Sequence, residues 1–128
     1  MDYAEYASLA GKASELEKAG QCEAALAIFE GLAETDIAIL DRAAMRHNAA
    51  LMHERLGRAD AALASYDAGI ALEAPLCRST VAEQKGACLH RLGRNAECLA
   101  LYRELLARPW ATEEEKYRFR YNIGALGG

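Results

Sequence analysis

One eleven-residue pattern is written three times in this chain: Gly20-Gln-Cys-Glu-Ala-Ala-Leu-Ala-Ile-Phe-Glu, Gly57-Arg-Ala-Asp-Ala-Ala-Leu-Ala-Ser-Tyr-Asp and Gly93-Arg-Asn-Ala-Glu-Cys-Leu-Ala-Leu-Tyr-Arg. The copies begin 37 and then 36 residues apart. An interval of this size marks a stacked helical repeat, because one such unit cannot bury its apolar face without a neighbour. Each copy opens on Gly, the residue that most readily takes the left-handed backbone needed to stop a helix. A short connection of this kind sends the next helix back antiparallel to the last.

The spacing of apolar residues predicts seven helices. Tyr3, Tyr6, Leu9, Ala13 and Leu16 recur at three and four residues and form the inward stripe of the first, which Gly20 ends. The second runs from Ala24 to about Glu34. Thr35-Asp36 is placed to cap the third, whose stripe is Met45, Ala49, Met52, His53 and Leu56 before Gly57. The fourth runs from Asp60 to about Glu73, with Ala62, Leu63, Tyr66 and Ile70 inward and Pro75 closing the unit. Ser79 or Thr80 starts the fifth, with Val81, Cys88, Leu89 and Leu92 inward, and Gly93 turns the chain into the sixth, holding Leu99, Tyr102, Leu105 and Leu106. Pro109 stops it. Thr112-Glu113-Glu114-Glu115 reads as a capping box for the seventh, which runs to about Leu126 and leaves Gly127-Gly128 to fray.

Composition narrows the function classes. A chain of 128 residues fits a single domain over 1–128. With only two prolines and 7% aromatic residues, helix is favoured over a β-sandwich. A net charge of −4 lacks the concentrated basic surface that nucleic acid demands. There is no positively charged leader and no run of 18 apolar residues, so neither export nor a membrane span is expected, and the reading is a soluble, cytoplasmic protein. Cys22, Cys77, Cys88 and Cys98 include no Cys-x-x-Cys pair and are expected as reduced thiols filling small core sites.

Ala25, Ala62 and Cys98 share one register, and the positions seven residues before each turn glycine are Ala13, Ala50 and Gly86. Small side chains at both places let paired helices approach closely. A small residue before the turn, Gly at the turn, Ala-Leu after it and an aromatic four residues beyond the small one together resemble the tetratricopeptide repeat (TPR) family. Asn48 in His47-Asn48-Ala49-Ala50-Leu51 and Asn122 in Tyr121-Asn122-Ile123-Gly124-Ala125 also resemble that family's Asn-Leu-Gly segment. The resemblance covers nearly the whole chain and implies an all-α, right-handed α-α superhelix of three antiparallel helix pairs plus a C-terminal capping helix. The repeats fall at about 3–35, 36–74 and 79–108, with the capping helix at about 112–126. Leu9, Arg46 and Ala82 stand where the family has its first-helix aromatic, and Leu16, His53 and Leu89 where it has a later tyrosine.

A stack of this kind exposes its first helices as a concave groove suited to an extended or helical peptide. The expected groove residues are Ala44, His47, Asn48, Leu51 and Arg55 from the second unit, Glu83, Ala87 and Arg91 from the third, and Arg118 and Tyr121 from the last helix. Leu51 would meet a partner's apolar side chain, Asn48 its backbone, and Arg55 and Arg91 an acidic segment. Some members of the family hold a C-terminal carboxylate with Lys-Asn, Asn and Lys-Arg in successive first helices. The matching positions here read Ala7 and Gly11, Asn48, and Thr80 and Gln84, so a clamp of that design is not expected.

No constellation points to catalysis or to a bound cofactor. His53-Glu54-Arg55-Leu56-Gly57 lacks the second His of a zinc helix, and His53 falls on the core stripe as a buried structural imidazole. His47 and His90 have no metal-ligand spacing around them. There is no phosphate-binding loop, nucleophile elbow or paired nucleophile and base. The reading is a monomeric, non-enzymatic scaffold, adaptor or co-chaperone-like module that binds a protein or peptide. The alternative is a structural subunit that self-associates through its terminal helices, where Tyr3, Tyr6, Phe119 and Ile123 lie.

Overall fold

Every helix predicted by the apolar spacing forms, and the computed structural model, which describes all 128 residues, contains no strand. The helices are α1 (Tyr3–Lys18), α2 (Cys22–Ala33), α3 (Ile39–Arg55), α4 (Ala59–Glu73), α5 (Thr80–Arg91), α6 (Asn95–Leu106) and α7 (Glu113–Ala125), with a single 3-10 turn at Ala74–Leu76.

The repeated glycines make one turn three times. Gly20, Gly57 and Gly93 have φ of 78°, 75° and 74°, and the residue after each donates its amide back to the carbonyl five residues earlier. These bonds, Gln21 to Leu16, Arg58 to His53 and Arg94 to Leu89, are each 2.9 Å. They satisfy carbonyls that a helix end leaves open. The expected fraying at Gly127-Gly128 is replaced by a fourth copy of this turn: Gly127 has φ 82° and the Gly128 amide reaches the Ile123 carbonyl at 3.0 Å.

Thr35-Asp36 does not cap α3. The Thr35 hydroxyl donates backward to the Leu32 carbonyl at 2.7 Å, and the Asp36 carboxylate accepts from the Met1 amino group at 2.6 Å. With both side chains engaged elsewhere, the helix starts only after Ala38, which offers no side-chain bond. Arg42 on its first turn donates to the Ala33 carbonyl at the end of α2 (2.9 Å), which closes the loop. At α7 the expected capping box is present: the Glu115 amide donates to Thr112 Oγ1 at 3.1 Å and the Thr112 amide to Glu115 Oε1 at 2.9 Å.

Contacts divide the chain into two compact units, Met1–Val81 and Ala82–Gly128. In the first, α1 packs on α2, α2 on α3 and α3 on α4. Leu26, Phe29, Leu32, Met45 and Met52 fill its core, and each such side chain contributes about 1.5–3 kcal/mol by leaving water. Ala13, Ala25, Ala50 and Ala62 are fully buried, as the small-residue register requires. Gly69 allows a further close approach, since a Cβ there would lie 3.0 Å from Val81 Cγ1 and 3.3 Å from the Ala43 carbonyl oxygen. Glu73 is buried and accepts from the Val81 amide with both carboxylate oxygens, at 2.9 and 3.0 Å. This places a negative charge at the N-terminus of α5, where the helix dipole favours it.

Several side chains depart from their expected positions. Tyr3 is 77% exposed and Leu9 is also exposed, because α1 packs mainly along the line of Ala13. His53 is half-buried, with Nε2 3.3 Å from Glu30 Oε2 on α2. Cys88 and Cys98 fill core sites, but Cys77 is exposed at a left-handed position (φ 57°) after the 3-10 turn. Phe119 is withdrawn from the surface of α7: in the second unit, where α6 packs on α7, its ring sits 6.3 Å from that of Tyr102.

Candidate functional site

In the second unit α5 and α7 present matching stripes. Glu83, Ala87 and His90-Arg91 recur at helical spacing on α5, and Arg118, Asn122 and Ala125-Leu126 do so on α7. Glu83 and Arg118 join the two stripes at one end: Arg118 Nη2 donates to Glu83 Oε1 at 2.7 Å and its Nε to Oε2 at 3.3 Å. This two-bonded contact fixes geometry as well as charge. It also raises the pKa of the guanidinium above its ordinary value, and Glu114, 3.4 Å away, adds to the effect.

Beyond that pair lies a cavity of about 400 Å³. Ala87, His90 and Arg91 of α5 and Asn122, Ala125 and Leu126 of α7 line it together with Cys98 and Tyr102 of α6. Gly86 explains how α6 comes so close. A Cβ at this position would stand 2.8 Å from Tyr102 Cζ, and the Gly86 carbonyl accepts from the Cys98 thiol at 3.2 Å. Burial pushes the Cys98 thiol above its ordinary pKa, which leaves it protonated and a poor nucleophile. Burial, then Cys98 and Glu83, raise the Tyr102 phenol likewise. No Asp or Glu side chain lines the cavity; its polar side chains are those of His90, Arg91, Tyr102 and Asn122, beside the Cys98 thiol. A second hollow of about 320 Å³ is lined by Tyr117, Arg118, Tyr121 and Asn122, with Tyr121 70% exposed.

Of the sequence-predicted residues in this unit, Ala87 and Arg91 thus meet in the cavity, Arg118 and Tyr121 share the neighbouring hollow, and Glu83 is held by Arg118. In the first unit, Ala44 and His47 line a hollow of about 180 Å³ with Leu40, Glu73, Arg78 and Val81 among others. The His47 ring lies 5.9 Å from that of Tyr66. Leu51 packs against the core of this unit, and Arg55 Nη1 donates to Glu17 Oε2 at 2.8 Å, tying α3 to α1. Asn48 is half-buried on the same helix.

The sequence reading assigned Cys98 and Tyr102 to the core and missed that they also floor a cavity. One signal was there: Gly86 stands where the other pairs have Ala13 and Ala50, so a methyl is missing opposite Cys98. No group of three or more His, Cys, Asp and Glu is placed to hold a metal ion. No helix is long and apolar enough to cross a membrane.

No protein-family model and no curated protein sequence matches this chain. Solved structures do. PcrH from Pseudomonas aeruginosa superposes with a TM-score of 0.73 at 19% identity, over 100% of this chain and 96% of that one. The Yersinia enterocolitica type III secretion chaperone SycD, in complex with a peptide of the translocator YopD, gives 0.70 at 20% identity, over 98% and 95%. The first TPR of Spaghetti (RPAP3), bound to the HSP90 peptide SRMEEVD, gives 0.69 at 19% identity, over 100% of both chains. At such identities the likeness is one of architecture, and it agrees with the triplicated turn and the paired small residues: the chain has a TPR-like, all-α fold.

Proposed function

We propose that this chain is a non-catalytic interaction module that holds a peptide or protein segment of a partner, acting as a scaffold, adaptor or co-chaperone-like subunit. The observation that carries this reading is the cavity between α5 and α7, which combines apolar side chains (Ala87, Ala125, Leu126) with polar ones (His90, Asn122) and holds no activated nucleophile. Its volume lies within the roughly 300–1,000 Å³ of ordinary ligand sites. Two solved proteins of similar fold, SycD and the RPAP3 domain, were captured with peptides, which supports a peptide as the class of occupant. Ala87, Arg91, Arg118 and Tyr121 are the proposed contacts in this unit. In the first unit Ala44, His47, Asn48, Leu51 and Arg55 are proposed as a further contact face on α3.

Selection from a phage-displayed random peptide library, followed by calorimetric titration of the enriched sequences, tests the reading. The expected outcome is saturable binding that falls at least about tenfold in Ala125→Trp, which fills the cavity from an exposed position on α7. If no sequence is enriched, or if binding is indifferent to that change, the cavity is not a peptide site. A second reading, self-association through the terminal helices, draws on the exposure of Tyr3, Tyr117 and Tyr121. Sedimentation distinguishes it, because a monomer at micromolar concentration leaves those faces without a second copy.

A further inference from the structure

We infer that the outer face of α7, along Tyr117, Arg120, Ile123 and Gly124, is a docking surface for an amphipathic helix of a partner protein that carries an acidic residue in its apolar stripe. The register of the chain argues for a helix. α1 packs on α2, and the residues it buries in whole or in part include Tyr6, Ala10, Ala13 and Leu16, which precede the turn glycine Gly20 by 14, 10, 7 and 4 residues. In α3 the residues 10 and 7 before Gly57 are His47, whose ring lies 5.9 Å from that of Tyr66 on α4, and the fully buried Ala50. In α5 the residue 7 before Gly93 is Gly86, whose carbonyl accepts from the Cys98 thiol of α6. Three times, then, this face of a first helix is covered by a second helix. α7 runs into the same turn at Gly127, and its residues in that register are Glu113, Tyr117, Arg120 and Ile123. Here the face is open: Tyr117 is 72% exposed, Arg120 is exposed, and a Cβ at Gly124 would meet nothing within 4 Å.

Arg120 argues for the acid. It stands where the other first helices have Ala13, Ala50 and Gly86, so this face cannot repeat their close contact of small residues. Its guanidinium makes no ion pair within the chain. At helical spacing it has Lys116, Tyr117, Ile123 and Gly124 for neighbours, none of them acidic. The acids of the first turn are engaged elsewhere, Glu113 with Lys116, Glu114 with Arg118 and Glu115 with the Thr112 amide. A carboxylate on a docked helix would complete the face, and an aromatic ring beside it would pack on Tyr117 as Tyr66 does on His47. A second copy of this chain fits poorly. Its second helices carry Ala25, Ala62 and Cys98 in the matching register, all of them buried. A two-fold pairing of α7 with α7 would set one Arg120 against the other, since this residue lies near the middle of the helix.

The test uses a probe helix taken from the chain itself, the α4 segment Ala59–Glu73 blocked at both ends. So short a helix is marginal in water, and a lactam bridge from Asp60 to a lysine introduced by Ala64→Lys holds it helical. Both bridging positions are exposed in the protein, so the bridge lies off the docking side. The probe is prepared with Ala62→Glu and with Ala62→Lys and titrated by NMR against the full chain and against its Arg120→Glu and Tyr117→Ala variants. Both substituted positions are exposed, and the amide spectra check that the variants fold as the parent does. The inference expects saturable shifts at residues 117–124 with the Ala62→Glu probe and about fivefold weaker binding with Ala62→Lys. Arg120→Glu reverses that order, and Tyr117→Ala weakens binding about tenfold. The inference is overturned if the two probes bind the parent alike or not at all, if Arg120→Glu leaves their order unchanged, or if the shifts fall outside α7. A dimer of the chain at micromolar concentration that dissociates in Tyr117→Ala would show a second copy on this face and would overturn it too. The cavity reading is tested apart from this, by library-selected peptides and Ala125→Trp.

Discussion

Adding a methyl group to a helical glycine is expected to stabilise this protein at position 11 and destabilise it at position 86. Both residues lie inside helices, α1 and α5, so Ala relieves the same backbone-entropy penalty in each, about 0.5–1 kcal/mol. At Gly11 a Cβ meets nothing within 4 Å, and the gain is kept. At Gly86 it would lie 2.8 Å from Tyr102 Cζ and 2.9 Å from Tyr102 Oη, contacts too short to persist. The tyrosine is 7% exposed and packed beside Phe119, so its ring can yield only toward the cavity it lines, losing its contacts there. Overpacking of this kind costs about 1–3 kcal/mol, which outweighs the helical gain and leaves Gly86→Ala about 1 kcal/mol below the parent. The two variants then differ by about 2 kcal/mol, and urea denaturation followed by circular dichroism resolves that. Pairing Gly86→Ala with Tyr102→Leu removes the obstructing ring, so the double variant is expected to lose less than the sum of the single changes. Equal stability of Gly11→Ala and Gly86→Ala would refute the placement of Tyr102 over Gly86 and with it the floor of the cavity.

Ala62→Leu is expected to cost about 1–3 kcal/mol because its helix crossing has no room for a larger side chain; melting like the parent would show the register to be wrong. Glu73→Ala leaves the Val81 amide without its buried acceptor and is expected to lose about 1–3 kcal/mol; an unchanged denaturation midpoint would count against that role. With an aromatic disulfide reagent, Cys77 is expected to react at once and Cys88 only on unfolding, whereas equal rates for these two would contradict the burial pattern. The raised pKa of Tyr102 stabilises the fold fully below the unfolded value near 10.0, and that contribution is lost as pH rises through the higher folded value. Alkaline unfolding in Tyr102→Phe is therefore expected to be shallower above pH 10 than in the parent, and coincident curves would contradict this.

The helices and turns were legible because both rest on local chemistry that is repeated. A glycine at positive φ, an amide reaching back five residues and a small residue seven positions earlier need no knowledge of distant contacts. The start of α3 was not legible in the same way. Thr35 and Asp36 have the chemistry of caps, and only the positions of Leu32 and Met1 divert them. The sequence places the candidate site on one face of the first helices and its continuation on the last, a reading that names Ala87, Arg91, Arg118 and Tyr121 but cannot anticipate that Glu83 and Arg118 bind each other. Nor could helical spacing separate a core tyrosine from one that floors a cavity. Tyr102 is both, because Gly86 lets its ring reach the space beside α7.

A crystal structure of the chain with its tightest library-selected peptide would test the central claim most directly. The account predicts a peptide side chain seated in the cavity, in contact with Ala87, Asn122 and Ala125 and resting on Cys98 and Tyr102. A peptide bound elsewhere, on the exposed face of α1 around Tyr3 for example, with the cavity between α5 and α7 left unchanged, would contradict it.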